Sequence, residues 1–118
     1  MSRRVLVTGA SRGIGAACAL AFARTGAHLV LADVRDCART GAAARAAGAA
    51  DVEAVGIDVS DETSVAALGR QIGASLGGLD VLVNCAGIIH EAPLLETPVA
   101  DFDRVIAINL RGSFLVGQ

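Results

Sequence analysis

From Thr8 to Gly15 the chain reads Thr8-Gly9-Ala10-Ser11-Arg12-Gly13-Ile14-Gly15, directly after the apolar run Val5-Leu6-Val7. These residue types at this spacing suit the holding of a diphosphate. Glycine serves where a chain turns sharply, where its backbone must approach a pyrophosphate, and where a helix packs closely on a strand. A helix beginning at the turn adds free N–H groups and a partial positive charge. A second candidate, Asp33, stands 18 residues after Gly15 at the end of another apolar run. A carboxylate there can accept hydrogen bonds from the two hydroxyls of a ribose and would repel a phosphate on that ribose. Arg12 and Arg35 pull the other way, because guanidinium groups could clasp such a phosphate. Taken alone, the turn is also compatible with a plain strand-to-helix connection, a flavin site or a methyltransferase site. Methyltransferase-type sites usually carry an acid before the glycines, where this chain has Thr8.

The elements that must position these residues follow from periodicity. Val5–Val7, Leu29–Ala32 and Val81–Val83 are continuous apolar runs, expected as strands buried on both faces. Val52–Ile57 reads as a further strand, followed by Asp58. Between the first two runs, Ile14, Ala17, Cys18, Ala21 and Phe22 recur at helical spacing until Gly26. Cys37 to Ala47 is alanine-rich and favours helix despite Gly41. Ser60-Asp61-Glu62 reads as an N-cap followed by first-turn acids, and Val65, Leu68, Ile72 and Leu76 form that helix's apolar stripe until Gly77-Gly78. After a loop through Pro93, Thr97-Pro98 opens a last helix with proline at its first position. Phe102, Val105, Ile106 and Asn109 fall on one face of it. An amide on an apolar stripe must find partners, so Asn109 is a candidate for a specific task.

The alternation βαβαβαβα implies an α/β fold: a parallel sheet with helices on both faces. Right-handed crossovers favour strand order 3-2-1-4, the first part of a doubly wound, Rossmann-type sheet. At 118 residues, 53% of them hydrophobic and 19% charged, one domain over residues 1–118 is expected and disorder is not. The net charge of −2 is spread along the chain, which argues against a nucleic-acid or membrane surface. Cys18, Cys37 and Cys85 are too scattered for a metal site with His28 and His90, and they fit a reducing, cytoplasmic setting. His28 and His90 are expected to face solvent, and the apolar start is too short for a signal or membrane segment.

Four motifs in this order resemble the short-chain dehydrogenase/reductase family. The spacing Thr-Gly-x-x-x-Gly-x-Gly is similar to its glycine-rich turn, and Asp58-Val59 is similar to its adenine-contacting pair. Asn84-Cys85-Ala86-Gly87 resembles its Asn-Asn-Ala-Gly motif, and Asn109 in Ile108-Asn109-Leu110 resembles its helix-borne asparagine. The resemblance covers nearly the whole chain. It implies an oxidoreductase that moves a hydride between a nicotinamide dinucleotide and an alcohol or carbonyl substrate. NAD is expected ahead of NADP because of Asp33.

By that resemblance Gly9, Ser11, Arg12, Gly13, Ile14 and Gly15 would hold the diphosphate side, and Asp33 the adenosine ribose. Asp58 and Val59 would hold the adenine, with Asn84, Ala86 and Gly87 beside the nicotinamide ribose. Asn109 would be the one member of the catalytic set, holding a water that serves a catalytic lysine. Cys85 departs from the motif's second asparagine and reads as a small tolerated residue. The family's catalytic Tyr-x-x-x-Lys would lie past Gln118, and all ten basic residues here are arginine, with no tyrosine in the chain. The expectation is therefore a truncated representative, limited to cofactor binding, whose last helix would take part in a homo-oligomer. The alternative is a non-catalytic dinucleotide-binding or interaction module.

Overall fold

A computed structural model describes residues 2–118. Four strands, β1 (Arg4–Thr8), β2 (His28–Asp33), β3 (Asp51–Gly56) and β4 (Val81–Asn84), form one parallel sheet in the order β3-β2-β1-β4. The expected doubly wound arrangement is what the chain adopts. Thr8 is in register with Ala32 on one side and Asn84 on the other, so the carboxyl ends of three strands finish level. Arg4 locks the opposite end. Its guanidinium Nη2 and Nε donate to the Asp80 carboxylate at 2.9 and 3.1 Å, and its amide donates to the same carboxylate at 2.8 Å.

Two cores lie on the two faces of the sheet. On one, Val5, Val7, Leu29, Leu31 and Val52 meet α1 (Gly13–Ala23) and α2 (Ala38–Ala47). Both helices present alanine inward (Ala19, Ala23 and Ala44), which lets their axes lie close to the strands. On the other, Leu6, Val30, Ile57 and Val59 meet Leu68 and Ile72 of α3 (Glu62–Leu76). Each fully buried leucine or valine is worth about 1.5–3 kcal/mol over exposure, so the two central strands hold most of the fold's apolar stabilisation.

Several expectations are corrected. The inward face of α1 is Gly15, Ala19 and Ala23, with Leu20 and Phe22 beside it, whereas Ile14 is 77% exposed. The reason is that the helix approaches the sheet through its smallest residues, so apolar character alone marks the wrong stripe. The cap of α3 is Asp61, whose carboxylate accepts from the Thr63 amide at 3.0 Å, while Ser60 donates to Asp58 instead. β4 is half-buried rather than buried, with Leu82 37% exposed, because it forms an edge of the sheet.

The last helical stretch begins at Val99, with Pro98 at its cap. It runs as α4 (Val99–Val105), a π-helical turn (Ile106–Arg111) and α5 (Gly112–Gly117). Sequence periodicity did not foresee the π winding. Nor does the stripe Phe102, Val105, Ile106 and Asn109 face the core. Phe102, Ile106 and Asn109 are exposed, and Ile108, Gly112 and Val116 point inward instead.

Candidate functional site

The carboxyl ends of the strands open into a cleft of about 970 Å³ between α1 and the last helix. The glycine-rich turn forms its floor. Gly9 has φ +63°, and a β-carbon there would stand 2.7 Å from the Cys85 carbonyl and 2.8 Å from the Ala86 amide. Both the left-handed backbone and the close approach to the β4 loop require glycine. A β-carbon on Gly15 would run into the Gly9 carbonyl, so helix and turn touch backbone to backbone. Gly13, also at positive φ, has open space where its side chain would be. α1 starts with neither a side-chain cap nor an acid in its first turn, which leaves its first amides available to an anion.

Thr8, fully buried, ties this floor to β4. Its hydroxyl donates to Asn84 Oδ1 at 2.6 Å and accepts the amides of Cys85 and Ala86, each at 3.2 Å. Sequence reading missed this role; a polar side chain ending an all-apolar strand was the available signal.

Asp33 is anchored through both carboxylate oxygens. Its two oxygens accept the amides of Ser11 and Arg35, both at 3.0 Å. Burial works to raise its pKa. The amides of Arg35 and Ser11 and the Arg35 charge outweigh that and hold it below the usual carboxylate range. Ser11 Oγ itself is buried without a hydrogen-bond partner in the protein. Asp58 Oδ1 accepts from the amide and hydroxyl of Ser60 at 3.0 and 2.6 Å. Val59 is buried beside it, and a β-carbon on Gly112 would lie 2.8 Å from Val59 Cγ2.

The structure gathers Gly9, Ser11, Arg12, Gly13, Ile14, Gly15, Asp33, Asp58, Val59, Ala86, Gly87 and Asn109 around this one cleft. Asn84 is not among its lining residues. Its side chain turns back to Thr8 and donates to Ser113 Oγ at 2.9 Å. Asn109 is exposed at the cleft wall rather than buried. Its Oδ1 accepts the Ile88 amide at 2.9 Å, and its Nδ2 donates to the Ile88 carbonyl at 2.8 Å. Arg35, Ile88 and Arg104 also line the cleft, and the sequence reading gave neither Ile88 nor Arg104 a part in it.

Burial holds the Cys85 thiol above its ordinary pKa, with Cys18 adding to the effect, and pushes Cys37 up to about 11. His90 lies outside the cleft, 3.9 Å from Asp101. Among the described residues, no group of three His, Cys, Asp or Glu side chains is placed to hold a metal, and no helix is long and apolar enough to cross a membrane.

Comparison with known proteins agrees with this geometry. Over 119 residues the chain is 47% identical to a cis-4-hydroxycyclohexanecarboxylate dehydrogenase of Sinomonas cyclohexanicum, covering 98% of this chain and 47% of that protein. A short-chain type dehydrogenase/reductase from Mycobacterium marinum superposes with a TM-score of 0.92 at 33% identity, covering 98% of this chain and 47% of the other. An NADH-dependent reductase, A1-R', solved with NAD, superposes with a TM-score of 0.88 at 30% identity, covering 98% of this chain and 49% of its own. The chain thus spans about half the length of these three proteins, and 18% of the length of a probable oxidoreductase of Mycobacterium tuberculosis to which it is 42% identical over 109 residues, 92% of this chain. The family model described as short chain dehydrogenase matches residues 3–118, nearly the whole chain, and with the glycine turn, the sheet order and the cleft in agreement, the chain belongs to the short-chain dehydrogenase family.

Proposed function

We propose that these residues form the dinucleotide-binding portion of an oxidoreductase that transfers a hydride between NAD and an alcohol or carbonyl carbon. The observation that carries the reading is the floor of the cleft. Gly9 and Gly15 stand where a β-carbon would strike the β4 loop and the turn itself, and the uncapped start of α1 faces the same space. A diphosphate would be held by the turn from Gly9 to Gly15, with Ser11, Arg12 and Ile14 among its residues and the buried Ser11 hydroxyl offering a donor that nothing else uses.

Asp33 would take the adenosine ribose, Asp58 and Val59 the adenine, and Ala86 and Gly87 the nicotinamide side. Asn84 would act from behind, by fixing Thr8 and Ser113. The bound nicotinamide would supply the hydride chemistry. Within this chain Asn109 is the group nearest to a catalytic part. Its side-chain bonds to Ile88 support a positioning role, while the proton relay of the reaction needs groups this chain does not contain.

NAD is favoured over NADP because Asp33 is held ionised at the place where a phosphate on the ribose would arrive. A dehydrogenase of a hydroxycyclohexanecarboxylate and an NADH-dependent reductase among the similar proteins support the same chemistry. The free thiols Cys18, Cys37 and Cys85 fit a reducing, cytoplasmic compartment. Titration of residues 1–118 with NADH and NADPH by fluorescence tests the proposal. NADH should bind, weakly and more tightly than NADPH, and no alcohol should be turned over by this chain alone. Absence of binding by either dinucleotide would refute the reading.

A further inference from the structure

The loop after β4, residues 85–93, contains neither helix nor strand, yet it supplies Ala86, Gly87 and Ile88 to the cleft wall. One side chain pins its middle. Ile88 exchanges both of its backbone hydrogen bonds with the Asn109 amide, as a neighbouring strand would. A β-carbon on Gly87 would stand 3.4 Å from Asn109 Oδ1, so the contact is already close-packed. The clamp therefore depends on where the last helix points Asn109. That direction is set in an unusual place, because Asn109 sits in the π turn, where the Gly112 amide reaches back five residues to the Ala107 carbonyl. π turns are rare and need local support.

Ser113 is placed to give that support. Its hydroxyl donates to the Asn109 carbonyl at 2.6 Å and accepts Asn84 Nδ2 at 2.9 Å. The hydroxyl's proton is thus spent on the π turn, while its oxygen is anchored to the end of β4. A serine bonded to the carbonyl four residues back bends and loosens regular α winding. Here the same hydroxyl is also held by Asn84. Through Asn84 the same hydroxyl connects to Thr8, and through Thr8 to the amides of Cys85 and Ala86 at the start of the loop. Both ends of the segment from Cys85 to Ile88 therefore hang on one network.

We propose that Ser113 is a positioning residue: it holds the π turn so that Asn109 clamps Ile88, and thereby shapes the nicotinamide end of the cleft. The structural part of this proposal stands on the bonds above, and its consequence for cofactor binding rests on the dinucleotide reading.

Amide hydrogen exchange of the intact chain tests it, with Ser113→Ala, Ser113→Thr and the parent compared residue by residue. In Ser113→Ala the Ile88 amide should exchange about tenfold or more faster, the scale of one lost hydrogen bond, while the Leu68 amide in α3 keeps its parent rate. Ser113→Thr, which retains the hydroxyl, should restore the Ile88 rate. An unchanged Ile88 amide in Ser113→Ala would overturn the proposal. So would equal acceleration of Ile88 and Leu68, since that is what loss of stability alone produces. NADH affinity should follow the Ile88 rate across the three chains. If NADH binds none of them, the dinucleotide reading falls, and the exchange rates still judge Ser113 independently.

Discussion

Asp33 carries two tasks at once. It anchors the glycine turn through the Ser11 amide and offers charge to the adenosine ribose. The two separate by substitution. Asp33→Asn keeps the shape and one of the two amide bonds but removes the charge, so it should narrow the preference for NADH over NADPH by about tenfold or more, the equivalent of about 1.4 kcal/mol. Asp33→Ala also frees the turn and should weaken both cofactors; parallel titrations check both variants. Because the folded chain holds Asp33 below the usual carboxylate range, the preference should persist through neutral and mildly acidic pH and fade only as the carboxylate protonates. Thr8 offers a stability counterpart. Thr8→Val is nearly isosteric but leaves the Ala86 amide without its acceptor and Asn84 Oδ1 without its donor, while the Cys85 amide keeps the Thr8 carbonyl at 3.3 Å; urea denaturation should show a loss of about 1–3 kcal/mol. Cys37 is buried, with its pKa pushed up to about 11, so iodoacetamide at pH 8 should leave it unmodified in the native chain and modify it after unfolding.

At the scale of elements, the pair Arg4–Asp80 joins the starts of β1 and β4, far from the cleft. Arg4's side chain and amide both donate to Asp80 and bring its pKa down to about 2. A carboxylate depressed on folding stabilises the native state above its unfolded pKa, near 4, and loses that contribution as the pH falls toward its folded value. The stability difference between the parent and Asp80→Asn should therefore be constant above about pH 5 and shrink between about pH 4 and pH 2, as urea midpoints across that range will measure. Placing β1 and β2 required only apolar runs with glycine or acid at their ends. α1 and the last helix were less legible. Alanine and glycine face the sheet in α1 because close approach favours small side chains, and that preference leaves no hydrophobic period in the sequence. The π turn depends on Gly112 meeting Val59, Asn109 meeting Ile88 and Ser113 meeting Asn84, partners about 20 to 50 residues distant in the chain.

For the molecule as a whole, the outer face of the last helix is the largest unexplained feature. Val99, Phe102, Ile106, Leu110 and Phe114 are all exposed, Phe102 by 59% and Phe114 by 63%. Apolar residues repeated every fourth position drift by about 40° per step around a regular α-helix. The π turn from Ile106 to Arg111 interrupts the α winding here, and Phe102, Ile106, Leu110 and Phe114 are all exposed. Exposed apolar stripes of this kind are a common feature of association faces. It supports the proposal that copies of the protein pair through this helix. Leu110→Arg should shift the chain toward monomer in sedimentation velocity while leaving NADH binding within about twofold, since the side chain points away from the cleft.

What the sequence determined by itself was local and periodic: where chain turns need glycine, which runs are apolar enough to be central strands, and the alternation that makes the sheet parallel in the order 3-2-1-4. Those features are written in neighbouring residues, because backbone sterics and burial act at short range. Tertiary structure alone decided which polar groups answer one another across the cleft. It turned Asn84 away to Thr8 and Ser113, and it gave Asn109 to Ile88. It also left the apolar stripe of the last helix outside the core. Hydrogen-bond pairing between distant segments depends on distance and angle to within a few tenths of an ångström, and no spacing along the chain encodes that.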